Sequence, residues 1–164
     1  MDSSSQFDLL FQVLLDRRAV EEPFDASDEH ERFRLYKAAL AEGDLVDEVI
    51  GAVTEEQDAA LQEAMFVKLL ETVPGGERQR VLSASTGSPF LGRRASELDL
   101  LETLQAKPGL TATEEEAVTE GSDWLQRNLA ERVLHAPTLE FLSRSGRTKR
   151  IRAAAAHRYR ELSP

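Results

Sequence analysis

The feature that most constrains this chain is the spacing of its apolar side chains, which recur at intervals of three and four residues and show no alternating strand pattern. Phe7, Leu10, Phe11, Leu14 and Leu15 open the series. At about 100° per residue such positions fall on one side of a helix, whereas a half-buried strand needs a period of two. β-branched residues never cluster. The spacing therefore predicts an all-α fold.

Glycine, proline and capping residues divide this pattern into segments. Pro23 ends the first, and Asp28 followed by Glu31 offers a capping box for the next, which carries Phe33, Leu35, Tyr36 and Leu40 and stops at Gly43. A short helix follows from Asp44 to Val53. Thr54 with Gln57 marks the start of another that runs to about Val73, with Leu61, Ala64, Met65 and Leu69 inward. Beyond Pro74-Gly75-Gly76 a brief helix spans Glu77 to Ala84. The cluster of Ser, Thr, Gly and Pro that follows reads as an internal flexible loop over 85–93, a connector or a mobile binding loop flanked by Arg93 and Arg94.

Arg94 to Ala106 is the next expected helix, with Leu98, Leu101 and Leu104 inward. Thr113 with Glu116 caps the one after, and Gly121-Ser122 kinks or breaks it before Pro137. Glu114, Glu115 and Glu116 suit the positive end of that helix's dipole, and Trp124 is expected to be partly buried in the core. Thr138 to Ser143 forms a short helix with Pro137 at its first position, and a last helix begins near Thr148. These are about nine short amphipathic helices joined by tight turns. Short turns make successive helices antiparallel, as an α-solenoid or an irregular helical bundle, and a length of 164 residues fits a single helical domain over 1–164.

Composition excludes several chemistries. With no cysteine there is no disulfide, zinc thiolate or cysteine nucleophile. His30, His135 and His157 lie far apart, and no spacing matches a two-histidine zinc helix or a paired Glu-x-x-His site, so neither metal nor cofactor is expected. Gly87 and Gly92 lack the phosphate-loop pattern. No stretch approaches the roughly 18 apolar residues of a membrane span, and no secretory pattern opens the chain, so the expectation is a cytoplasmic protein without a membrane partner.

A net charge of −10 disfavours general nucleic-acid binding. The charge is uneven, however. From position 141 onward there are seven Lys and Arg against one acid, a net of +6 that leaves −16 for the rest. Within the last helix Ile151, Ala155, Tyr159 and Leu162 share an arc of about 80°, and Lys149, Arg150, Arg152, His157 and Arg160 spread over about 160° on the other side. Lys149, Arg150 and Arg152 stand at the positive end of the helix dipole, where each costs some tenths of a kcal/mol. Compensation by the acidic body ranks first, an external acidic partner second and a membrane surface third.

Ala136-Pro-Thr-Leu-Glu-Phe-Leu, the turn Ser145-Gly-Arg-Thr and the basic, alanine-rich run from Lys149 to Leu162 together resemble a HEAT-type helical hairpin. The likeness covers residues 136–162. Leu-Leu-Glu-Thr also recurs at 69–72 and 100–103, a spacing of 31 that is shorter than the roughly 40 to 47 of HEAT units. The resemblance implies a non-catalytic interaction or scaffold module that docks a protein partner with an acidic surface. The partner-binding candidates are Lys149, Arg150, Arg152, His157 and Arg160. The alternatives are a nucleic-acid-associated regulator using the same helix, and a small helical enzyme whose acid site only the fold would assemble.

Overall fold

A computed structural model of the protein describes residues 5–20, 23–85 and 87–162. The fold is all-α, with no strand among the described residues. The helices are α1 (Gln6–Asp16), α2 (Glu29–Glu42), α3 (Val46–Thr54), α4 (Ala59–Thr72), α5 (Arg78–Ala84), α6 (Pro89–Ala106), α7 (Ala112–Glu120), α8 (Asp123–Arg132), α9 (Ala136–Ser145) and α10 (Lys149–Leu162), with a 3₁₀ turn at Gly75–Glu77. Where the sequence suggests one domain, the chain divides into two compact units, Met1–Ala95 and Ser96–Pro164.

In the first unit α1 packs on α2 and α3, α2 on α3 and α4, and α3 on α4 and α5. Leu10, Leu14, Leu35, Tyr36, Val49, Val53, Met65 and Leu69 fill its core, all at 1% exposure or less. Ala64, expected inward, is exposed instead. Ser5 and Asp8 form a reciprocal capping box on α1. Asp28 caps α2 by accepting from the His30 amide, and Gly43 ends it with a φ of 79°, a left-handed value that glycine adopts without strain. The cap of α4 is Asp58, which accepts from the amides of Ala60 and Leu61. Thr54 is instead the last residue of α3, its hydroxyl bonded back to the Ile50 carbonyl.

The sequence expectation of a loop over 85–93 does not hold for its second half. Pro89 opens α6, a position at which the missing N–H costs nothing, and residues 89–93 are helical. Leu91 is buried, but Phe90 stays 46% exposed, with the Arg94 guanidinium 5.7 Å from its ring centre.

The second unit is built on Leu101, Leu104, Val118, Leu125, Leu129, Val133, Leu139, Leu142, Ile151 and Ala155, with Trp124, Phe141 and Tyr159 partly buried against them. The expected kink at Gly121-Ser122 is a full break, which makes ten helices among the described residues rather than nine. Ser122 caps α8 by accepting from the Leu125 amide, and its own amide donates to the buried Glu97 carboxylate at 2.8 Å. The cap of α7 lies two residues before the expected Thr113: Thr111 and Glu114 form the box. α9 and α10 lie along one another as a hairpin and both pack on α8.

Gln126, 1% exposed, joins three of these elements. Its amide nitrogen donates to the Val118 carbonyl at 2.8 Å, near the end of α7, and its oxygen accepts from the Arg147 amide at 2.8 Å, in the turn before α10. Gly146 sits in the same turn so tightly that a Cβ would lie 2.6 Å from the Leu142 carbonyl oxygen. Replacing Gln126 by Ala strands a buried donor and a buried acceptor, so chemical denaturation should show a loss of about 1–3 kcal/mol. An unchanged midpoint would deny Gln126 this role.

Candidate interaction surface on the last helix

Thr148 begins α10: its hydroxyl accepts from the Ile151 amide at 3.2 Å and its carbonyl from the Arg152 amide at 3.1 Å. Ile151 and Ala155 are buried and Tyr159 is half-buried, which turns the opposite side of the helix to solvent. Lys149, Arg150, His157 and Arg160 are exposed, and Arg152 is half-buried. The structure thus brings four of the five candidate residues onto an open basic face. Arg152 is diverted, because its guanidinium donates to the Gly146 carbonyl and helps close the turn.

The charge partners of this face decide what it can do. None of Lys149, Arg150, Arg152, Arg158 and Arg160 has a carboxylate within ion-pair distance among the described residues. Arg160 bonds the Ala156 carbonyl of its own helix, and His157 faces Glu161 at 3.6 Å. Elsewhere Arg17 meets Asp44, Arg32 meets Glu56, Arg80 meets Asp47 and Lys107 meets Glu114, while Arg18, Lys37, Arg93, Arg127 and Arg132 have no acid within ion-pair distance among the described residues. Direct compensation of the α10 cations by the chain's own acids, ranked first from the sequence, is therefore absent among the described residues.

Two other polar clusters went unrecognised in the sequence. In the first unit, the Glu56 carboxylate accepts from Arg32 Nε at 3.0 Å, the Tyr36 hydroxyl at 3.1 Å and the Asp58 amide at 3.0 Å. These partners are 24, 20 and 2 residues away, so only the fold assembles them. Burial pushes the Glu56 pKa up, but the Asp58 amide and the Arg32 and Tyr36 bonds outweigh it and hold the group below the usual carboxylate range. Burial, and then the neighbouring Glu56 charge, raises Tyr36. The cluster borders an open cleft of about 590 Å³ lined also by Phe7, Ala26 and Gln57. Both Glu56 oxygens already accept hydrogen bonds, which makes the carboxylate a tie between α2 and the α3–α4 link and a poor proton acceptor.

In the second unit, Glu114 accepts from Lys107 Nζ and from the Thr111 amide, each at 2.8 Å. The Lys107 bond, with the Thr111 bonds behind it, lowers its pKa to about 2. His135 Nε2 lies 3.1 Å from the Gln105 carbonyl, and His30 is exposed beside Glu29. No group of three His, Asp or Glu among the described residues is arranged to hold a metal, and no helix of the described residues is long and apolar enough to cross a membrane.

No protein-family model matches this chain, and no curated protein or solved structure matches it either.

The depressed Glu114 pKa has a definite sign. A carboxyl that titrates at about 2 when folded and near 4.5 when unfolded stabilises the fold above pH 4.5, and that contribution is lost as pH falls from there toward 2. Glu114→Gln should therefore flatten the acid limb of the stability–pH curve over this window. An acid limb unchanged by the substitution would contradict the assignment.

Proposed function

We propose that the chain is a non-catalytic interaction module that docks an acidic protein surface on the exposed basic face of α10. The observation that carries this reading is a concentration: Lys149, Arg150, Arg152, Arg158 and Arg160 stand on one helix without a carboxylate partner among the described residues, whereas the other such cations, Arg18, Lys37, Arg93, Arg127 and Arg132, are scattered along the chain. Cations at a helix N-terminus destabilise their own helix unless an anion meets them. An acidic partner meets Lys149 and Arg150 while Ile151 and Ala155 keep the helix anchored to its unit. Recognition by such a face works through charge complementarity, which governs encounter rate and selectivity more than raw affinity.

A HEAT-like arrangement fits this role. Helices in each unit pack on their next and next-but-one neighbours, α1 with α2 and α3, α2 with α3 and α4, and α8 with α9 and α10, as stacked helical hairpins do. The α9–α10 pair is the segment that resembles such a hairpin in sequence.

Titration calorimetry with a polyglutamate peptide, and in parallel with duplex and single-stranded oligonucleotides, tests the reading. The protein should bind the peptide with an affinity that falls as salt rises, and Lys149→Gln/Arg150→Gln should weaken it about tenfold, or 1.4 kcal/mol, with helicity unchanged. Absence of salt-sensitive peptide binding would overturn the proposal. Tighter binding to an oligonucleotide than to the peptide would replace it with the nucleic-acid reading.

A further inference from the structure

The second unit carries an acidic counterpart to the basic face. α7 buries one hydrophobic side chain, Val118, and leaves most of its circumference in water. Glu115, Glu116 and Glu120 are exposed on it, and none has an ion pair or side-chain hydrogen bond with a described residue. At about 100° per residue, Glu116 and Glu120 lie some 40° apart, and each is about 160° from Val118. They therefore stand together on the outward side of the helix. Their placement is unfavourable twice over: like charges four residues apart repel, and Glu120 sits in the last turn, at the negative end of the dipole. No basic residue offsets it there.

The two misplaced charge sets are neighbours. Gln126 binds the Val118 carbonyl with one end of its amide and the Arg147 amide with the other, and Arg147 Nη2 reaches the Glu120 carbonyl at 3.5 Å. The end of α7 and the start of α10 are thereby fixed side by side, with the acids on one and the free cations on the other. Arg147 itself is occupied, facing Asp123 at 3.7 Å.

An acidic and a basic patch lying side by side form a self-complementary surface. A two-fold axis passing between them sets the basic patch of each copy on the acidic patch of the other, which is the requirement for an isologous pair. We propose that the acidic partner of α10 is a second copy of this chain, with Lys149 and Arg150 of each copy meeting Glu116 and Glu120 of the other. This rests on the reading of α10 as an interaction surface and names its occupant. The contact is polar and small, so the pair belongs with the weak, salt-sensitive associations rather than with obligate dimers.

Sedimentation equilibrium of the full chain at about 0.01 M and about 1 M salt, where the Debye length is about 30 Å and 3 Å, tests the pairing. The expected masses are a dimer in low salt and a monomer in high salt. Lys149→Glu/Arg150→Glu and Glu116→Lys/Glu120→Lys should each be monomeric in low salt. Both variants improve the charge at their helix ends, so they should keep their helicity by circular dichroism. Mixed at equal concentration they should form a heterodimer, because the swapped charges restore one of the two patch contacts in attractive form and the other with both signs reversed. A monomer in low salt, a dimer indifferent to salt, or a mixture that stays monomeric would each overturn the pairing. A chain that is monomeric throughout yet binds polyglutamate through Lys149 and Arg150 would overturn only this inference, while loss of both would overturn the proposed function as well.

Discussion

The second unit depends on the Gln126 amide. A buried primary amide must satisfy both its donor and its acceptor, and here the backbone supplies the partners: the Val118 carbonyl on one side and the Arg147 amide on the other. Each of those groups is a loose end. The Val118 carbonyl is in the last turn of α7, beyond which no further turn supplies a donor, and the Arg147 amide belongs to a turn compressed around Gly146. One side chain completes both, and so determines where α10 starts relative to α7. The hydrophobic core beneath, from Leu125 and Leu129 to Ile151 and Ala155, holds the helices together but is not directional. Register comes from the amide, and with it the position of Lys149 and Arg150.

The surface electrostatics follow from that geometry. Cations at the beginning of α10 and acids toward the end of α7 each oppose the dipole of their own helix, by some tenths of a kcal/mol per charge. Elsewhere the match is mixed: Asp16 and Glu42 end α1 and α2 with no basic residue in the last turn, and Arg78 and Arg80 lie in the first turn of α5. Glu114 and Thr111 form a capping box at the start of α7, and Asp8 does the same with Ser5 on α1. What distinguishes the ends of α7 and α10 is that they are adjacent and that both carry wrong-sign charges without partners among the described residues. Conflicts of this kind concentrate at functional sites, because the charge is satisfied only in the bound state. The other acidic cluster works differently. Glu56 is committed on both oxygens to Arg32, Tyr36 and the Asp58 amide, and it serves the fold of the first unit.

The all-α class was legible because apolar periodicity is a property of each segment alone. Helix ends were read less well, since a capping side chain competes with its neighbours: Thr54 and Thr113 have the right chemistry, but Asp58 and Thr111 stand where the backbone turns. The loop expected at 85–93 failed for a related reason, as Pro89 looks like a breaker and is in fact suited to a first helical position. Gln126 left a signal that could have been noticed, a polar residue in the middle of an arc shared with Leu125, Leu129 and Ala130. The Arg32–Tyr36–Glu56 cluster left none, because Glu56 lies in the α3–α4 link, 24 and 20 residues from the two α2 residues that it binds. For the basic face, the sequence supplied the residues and the sign of the conflict with the dipole. It could not show that Arg152 turns to the Gly146 carbonyl, nor that no acid among the described residues lies within ion-pair distance of Lys149 and Arg150.

The central claim is that these two cations have no acid partner among the described residues, and the sign of one stability change tests it. Lys149→Gln/Arg150→Gln removes the charge while keeping helix propensity nearly constant. Urea denaturation in low salt, at a protein concentration low enough to keep the chain monomeric, should show the variant more stable, by about 0.3–1 kcal/mol per charge removed. A less stable variant would mean that acids of the same chain already hold Lys149 and Arg150, and would contradict the account.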